Sequence, residues 1–128
     1  MSDNFNNSHR ILVVDDNQDA ATSLAILLKQ VDYKVETAFN GQTAIEVAER
    51  FDPEIYILDI NMPGMNGYEL ARRIREMAHD HPPVLATVTA CNDGEHLDRA
   101  VDAGFDLHFI KPADVNDMID QIEHSLNR

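Results

Sequence analysis

The chain has 128 residues, enough for one domain with one core. It is 44% hydrophobic and 26% charged, and its formal net charge of −13 repels nucleic acid and anionic membrane surfaces, or serves solubility alone with no partner implied. Its single cysteine, Cys91, excludes an internal disulfide and points to an intracellular chain, and no apolar stretch is long enough to span a bilayer.

Residues 1–9 are rich in Asn and Ser, lack an apolar signal core, and read as a disordered lead-in to a domain over 10–128. "RILVVDD" is a strand reaching Val14. "DAATSLAILLKQV" carries Ala21, Leu24, Ala25, Leu28 and Val31 at helical spacing. "KVETAF" is the second strand, and Asn40-Gly41 is the turn before the helix "TAIEVAERF". Pro53 precedes the third strand, "EIYILD". The helix "GYELARRIREMA" has Leu70, Ile74 and Met77 on one face and is stopped by Pro82-Pro83. "VLATVTA" is the fourth strand, and "GEHLDRAVDAG" a helix closed by Gly104. "DLHFIK" is the fifth strand. The last helix, "VNDMIDQIEHSL", has Val115, Met118, Ile119, Ile122 and Leu126 as its apolar residues.

Five β–α units in strict alternation imply an α/β fold, a parallel sheet with helices on both faces. The solid apolar runs "ILVV" and "IYIL" suit strands buried on both sides. Such sheets bind ligands beyond the carboxyl ends of their strands, where the winding direction reverses.

Chemistry-bearing residues stand at those ends. Asp15 and Asp16 close the first strand, Asp59 the third, Thr89 the fourth and Lys111 the fifth. Three carboxylates together repel one another and persist as a cluster only with a neutralising cation. Oxygen donors in a wet cleft suit Mg²⁺ better than Zn²⁺. No Cys/His cluster has zinc spacing, and the histidines at 9, 79, 81, 96, 108 and 124 are scattered and read mostly as surface residues. A carboxylate beside Mg²⁺, a lysine and a hydroxyl can attack phosphorus and become an acyl phosphate. Mg²⁺ and Lys111 would neutralise the charge developing on the phosphoryl oxygens, and the Thr89 hydroxyl would bond one of them. Each residue alone has a plainer reading. "VVDD" can be a turn and helix cap, a threonine can be packing, and a lysine before proline can be a solvated charge. Four strands delivering suitable groups to one edge favour the chemistry.

"ILVVDDN", "YILDINMPGMNGYEL", "VTA" and "FIKP", in this order and at the family's separations, resemble the signatures of the receiver domain of two-component response regulators over roughly residues 10 to 126. The resemblance implies a doubly wound, flavodoxin-like (βα)5 fold with strand order 2-1-3-4-5. It implies Asp59 as phosphoacceptor, Asp16 as the main Mg²⁺ ligand with Asp15 helping through water, and the backbone carbonyl of Asn61 as a further ligand. Lys111 would pair with the phosphoryl group, Thr89 would be the switch hydroxyl, and the Lys111–Pro112 peptide would be cis, which only an X–Pro bond adopts cheaply.

His108 stands where the family has its switch aromatic, and within "AGFDLHFIKPAD" it resembles receivers attached to hybrid histidine kinases or related relays. In that role it would swing inward on phosphorylation and reshape the face made by the fourth helix, fifth strand and fifth helix. The alternative is an exposed edge-strand histidine. Asn61 and Cys91, two residues beyond Asp59 and Thr89, stand where family members control the hydrolytic water, so they would set phosphoryl lifetime. Cys91 equally reads as a small buried space-filler.

The resemblance implies a cytoplasmic signalling phosphoprotein of a phosphorelay that catalyses only its own phosphorylation and dephosphorylation. Its donor would be a sensor histidine kinase or histidine phosphotransfer protein. Its reader would be a downstream protein, with a phosphorylation-dependent homodimer allowed and no direct nucleic-acid contact or membrane insertion. Met1 favours a free-standing regulator without an effector domain over an excised module. Two other readings compete. An aspartyl phosphatase acting on external substrates would need a second acid where Asn61 stands, and a substrate cap. A degenerate, non-phosphorylated docking receiver would not need the full set of Asp16, Asp59, Thr89 and Lys111.

Overall fold

The solid apolar runs become the buried strands. In the computed structural model, which describes residues 9–77, 82–90, 94–111 and 113–126 and leaves out the side chains of 94, 95 and 97, β1 (Arg10–Val14), β2 (Lys34–Ala38), β3 (Ile55–Asp59), β4 (Val84–Thr89) and β5 (Leu107–Ile110) form one parallel sheet. The strand order is β2-β1-β3-β4-β5, as expected. The intervening helices are α1 (Gln18–Lys29), α2 (Gly41–Phe51), α3 (Gly67–Glu76), α4 (Gly94–Ala103) and α5 (Val115–Leu126). Of the disordered lead-in expected over residues 1–9 only His9 is described, and it is held rather than loose: its carbonyl accepts the Lys34 N–H at 3.1 Å and its Nδ1 lies 3.0 Å from Glu54 Oε2; the cis Lys111–Pro112 bond and the placement of Cys91 fall outside the described residues.

Successive side chains of a strand point to opposite faces, so the sheet divides the core in two. Leu12, Val14, Tyr56, Leu58 and Leu85 pack with Ala44, Val47, Leu70, Ile74 and Ala100 beneath α2, α3 and α4. Ile11, Val13, Ile57, Ala86 and Phe109 pack with Ala21, Ala25, Leu28, Met118 and Ile122 beneath α1 and α5. Ile11, Leu12, Ile57 and Leu58 are almost wholly buried, and each such side chain contributes about 2 kcal/mol. Both central strands are therefore held rigid up to the residues that end them.

One expectation needs correcting. Val31 does not lie on the inner stripe of α1: the helix ends at Lys29, and Val31 is 40% exposed. Asp32 adopts φ 71, a left-handed turn that reverses the chain in time for β2 to begin at Lys34. Tyr33 is buried instead, with its hydroxyl donating to Glu123 of α5. Asn40 is more than a turn residue, because its side chain caps α2 by accepting from the Thr43 N–H at 2.8 Å.

The end of α3 is tied down by Arg75. Its guanidinium donates to the carbonyls of Pro83 (2.9 Å) and Gly104 (2.6 Å) and to the carboxylate of Asp106 (2.8 Å). That joins the last turn of α3 to the start of β4 and to the α4–β5 turn. Gly104, at φ 98, closes α4 as expected.

Candidate functional site

Because β1 and β3 are parallel and paired in register, Val14 beside Leu58, the residues that follow these pairs emerge at the same edge. The carboxylates of Asp15, Asp16 and Asp59 offer oxygens that all lie within 4.8 Å of one another. Asp15 and Asp59 are buried, whereas Asp16 is exposed. This is the one such group of potential metal ligands among the described residues, and its donors are all carboxylate oxygens. A hard cation suits that donor set, and the excess negative charge calls for one.

The electrostatics carry the same signature. Burial, and then the negative charge of Asp15, push the Asp59 carboxyl up to about 6; Lys111 and a hydrogen bond from the Asn61 backbone N–H oppose the rise. Lys111 reaches in from the end of β5, with Nζ 3.3 Å from Asp15 Oδ2 and 3.7 Å from Asp59 Oδ1. Its own backbone N–H donates to the Thr89 carbonyl at 2.9 Å, which fixes where the lysine leaves the sheet. Thr89 is buried at the end of β4, one residue past Val88, the register partner of Asp59. All five strand-end residues named from sequence thus stand at one edge.

The plainer reading of the Asp15-Asp16 pair holds only in part. Asp15 Oδ1 accepts the Asn17 N–H at 3.0 Å, a turn-type contact. The cap of α1 is Asn17, whose side chain accepts from the Ala20 N–H at 3.1 Å. Neither aspartate is needed as the helix cap.

The loop after Asp59 is pressed against the strand end. Gly67 N–H donates to the Ile60 carbonyl at 3.0 Å, and a Cβ on Gly67 would stand 2.5 Å from the Asp59 carbonyl oxygen and 2.8 Å from Ile60 Cα. Only glycine lets α3 start so close to the site. Asn66 and Glu69 form a capping box that locks that helix start. Ile60 and Met62 are buried while Asn61 is exposed, so the loop turns Asn61 outward at the cleft.

His108 lies on β5 opposite Thr87. It is half-buried rather than an open edge residue, and its Nδ1 is buried with no hydrogen-bond partner. Burial lowers its pKa, and His96 adds to the effect. His96 itself corrects the surface reading of the histidines. It is buried on α4, its Nδ1 meets the Tyr68 hydroxyl, and the Arg99 guanidinium stands 4.2 Å above the Tyr68 ring. A usable signal existed: His96, Ala100 and Ala103 share one helical stripe, and both alanines are core residues.

The family described as the response regulator receiver domain matches residues 11–123. The response regulator ArlR of Staphylococcus aureus is 31% identical over 119 residues, which cover 93% of this chain and 53% of that protein. The chain therefore spans about half the length of the curated relatives it matches. Among solved structures, a response regulator signal receiver domain from Bermanella marisrubri superposes with a TM-score of 0.80 at 35% identity, covering 91% of this chain and 97% of that one. A CheY-like response regulator receiver domain protein from Methanospirillum hungatei superposes with a TM-score of 0.86 at 26% identity, covering 94% of each chain. The family match runs from the second residue of β1 into α5, and on that extent the chain belongs to the response regulator receiver domain family.

Proposed function

We propose that this receiver domain is a phosphoacceptor switch of a two-component phosphorelay, working in the cytoplasm and taking its phosphoryl group on Asp59. The observation that carries the reading is the convergence of Asp15, Asp16, Asp59 and Lys111 at one sheet edge. An Asp59 carboxylate oxygen attacks the phosphorus of a phosphohistidine, on a sensor kinase or phosphotransfer protein, or of a small acyl phosphate. The new O–P bond forms as the P–N or P–O bond to the donor breaks, and the electron pair leaves with the donor. Asp59, with its carboxyl near 6, is largely ionised at neutral pH and ready to attack.

Lys111 already faces Asp59 and is placed to neutralise a phosphoryl oxygen; the buried Thr89 hydroxyl is the donor for another. Asp16, Asp15 and Asp59, with the Asn61 carbonyl, would hold Mg²⁺, which when bound supplies positive charge against the transferred group. Asn61 and Cys91 would govern access of the hydrolytic water. Asn61 also occupies the position from which an external-substrate phosphatase would present its second acid, so self-phosphorylation is favoured over that enzyme reading.

With acetyl phosphate and Mg²⁺, the chain takes up one base-labile phosphoryl group, and excess EDTA stops uptake. Asp16→Ala raises the Mg²⁺ needed for half-maximal labelling by at least about tenfold, since even outer-shell losses reach that scale, while Asp15→Ala has a smaller effect. Full-rate labelling in chelator would remove the metal from the reading.

The added group brings about −2 charge to the cleft. Thr89 moves toward it, the space beside β4 opens, and His108 turns inward, changing the α4–β5–α5 face for a protein reader. The orphaned Nδ1 of His108 supports this, because that nitrogen is buried where it makes no hydrogen bond. His108→Ala accordingly leaves labelling intact but loses most of the gain in reader affinity produced by beryllofluoride, measured by titration of both proteins with and without it. An equal gain in the two would reject His108 as the transmitter.

A further inference from the structure

We propose that the α4–β5–α5 face receives a cationic, amphipathic segment of another protein and is closed to a second copy of this chain, which rests on the switch reading above and names the chemistry of its reader. Two aliphatic side chains stand open on this face, Val101 at 63% and Ile110 at 49% exposure. Residues two apart on a helix point about 200° apart. Arg99 leans over Tyr68 of α3, so Val101 faces away from α3. Asp98, one turn before Val101, shares that side and is exposed. Across β5, an edge strand, Asp114 just before α5 and Asp117 and Gln121 within it line a cleft of about 250 Å³ with His108 and Ile110.

The face thus carries two open aliphatic side chains among exposed carboxylates. No lysine or arginine among the described residues neutralises it. Arg75 is spent on Gly104, Pro83 and Asp106; Arg99 covers Tyr68; Lys111 turns into the Asp15–Asp59 pair. Asp114 accepts the Asn116 N–H and Asp117 the Gln121 amide, and neither donor is a cation.

A two-fold dimer sets a surface against itself. Here it would set a face carrying Asp98, Asp114 and Asp117 against a second copy of that face, and like charge disfavours that pairing. The opposite charge on a helix with an apolar stripe meets both features at once: its aliphatics cover Val101 and Ile110, and its Lys or Arg residues meet the carboxylates.

The test uses the full chain, a fluorescent Leu/Lys amphipathic peptide and its Leu/Glu counterpart, with Mg²⁺ and with or without beryllofluoride. The expected result is binding of the Leu/Lys peptide alone, with amide shifts at Asp98, Ile110 and Asp117 in NMR spectra. Asp98→Asn/Asp117→Asn weakens it about fivefold, the sum of two exposed pairings, and Val101→Ala/Ile110→Ala also weakens it. The control pair Glu46→Gln/Glu49→Gln, exposed on α2, leaves affinity unchanged. The chain sediments as a monomer with beryllofluoride. An equal loss in the α2 control means generic attraction to an acidic chain and overturns the proposal, as does a beryllofluoride-induced dimer that Asp98→Asn/Asp117→Asn alters. Peptide binding at this face that ignores beryllofluoride upholds the docking chemistry while removing its link to phosphorylation.

Discussion

Asp59→Asn leaves a folded chain that takes no phosphoryl group from acetyl phosphate. An amide lacks the charged oxygen that attacks phosphorus, so labelling falls to background, a loss of about two orders of magnitude or more. The fold has no reason to fail, because Asn keeps the shape of the side chain at the last position of β3 and the backbone pairing with β4 is unchanged. No neighbour can substitute. Asp15 is already engaged by the Asn17 N–H and by Lys111. Asp16 is exposed, outside the buried pocket in which Asp59 faces Lys111. Intact-mass measurement after treatment with acetyl phosphate and Mg²⁺ reads the outcome directly. A phosphoryl adduct on the variant, at wild-type yield, would move the acceptor elsewhere.

That prediction needed little beyond the sequence, for a physical reason. A parallel sheet buried on both faces writes its strands as solid apolar runs, and the first polar residue after each run is delivered to one edge. Asp15 and Asp59 are such residues, and Thr89 and Lys111 reach the same edge at the ends of less uniformly apolar strands. What the sequence hid depends on approach between segments far apart in the chain. His96 reads as one charged-type residue in a polar helix, yet Tyr68, in the first turn of α3, supplies a partner that permits its burial. Arg75 reads as one of three arginines on α3, and nothing local distinguishes it from Arg72 and Arg73. Its role appears only when Pro83, Gly104 and Asp106 are brought around it. Val31 kept the helical period but lost the helix, because the turn at Asp32 was decided by where β2 had to start. The close approach behind Gly67 is likewise a contact between α3 and the end of β3, visible in sequence only as one glycine among several.

Asp59→Asn also changes stability, with a sign set by the raised carboxyl of Asp59. In metal-free buffer the folded chain holds that proton up to about pH 6, whereas the unfolded chain releases it near the ordinary carboxylate value of about 4. Between those two values the folded state binds more protons, so stability falls as pH rises through the window. Above it both states are ionised and the whole cost remains, about 3 kcal/mol for a shift of about two units. Below it both are protonated and the cost disappears. An asparagine cannot ionise, so the metal-free variant gains up to about 3 kcal/mol at pH 8, the Lys111 attraction being already counted in the net rise of the Asp59 carboxyl. Lys111 itself keeps Asp15 at 3.3 Å and is not left unpaired. Urea unfolding in EDTA at pH 8 and again at pH 3.5 measures this, and the gain should be large at the first and absent at the second. Repeating the pH 8 measurement in millimolar Mg²⁺ should shrink the gain, because a bound cation relieves in the wild type the same repulsion that the substitution removes. A variant less stable than wild type at pH 8 in chelator, or equally stabilised at both pH values, would show that the Asp15–Asp59 repulsion does not act on the folded chain.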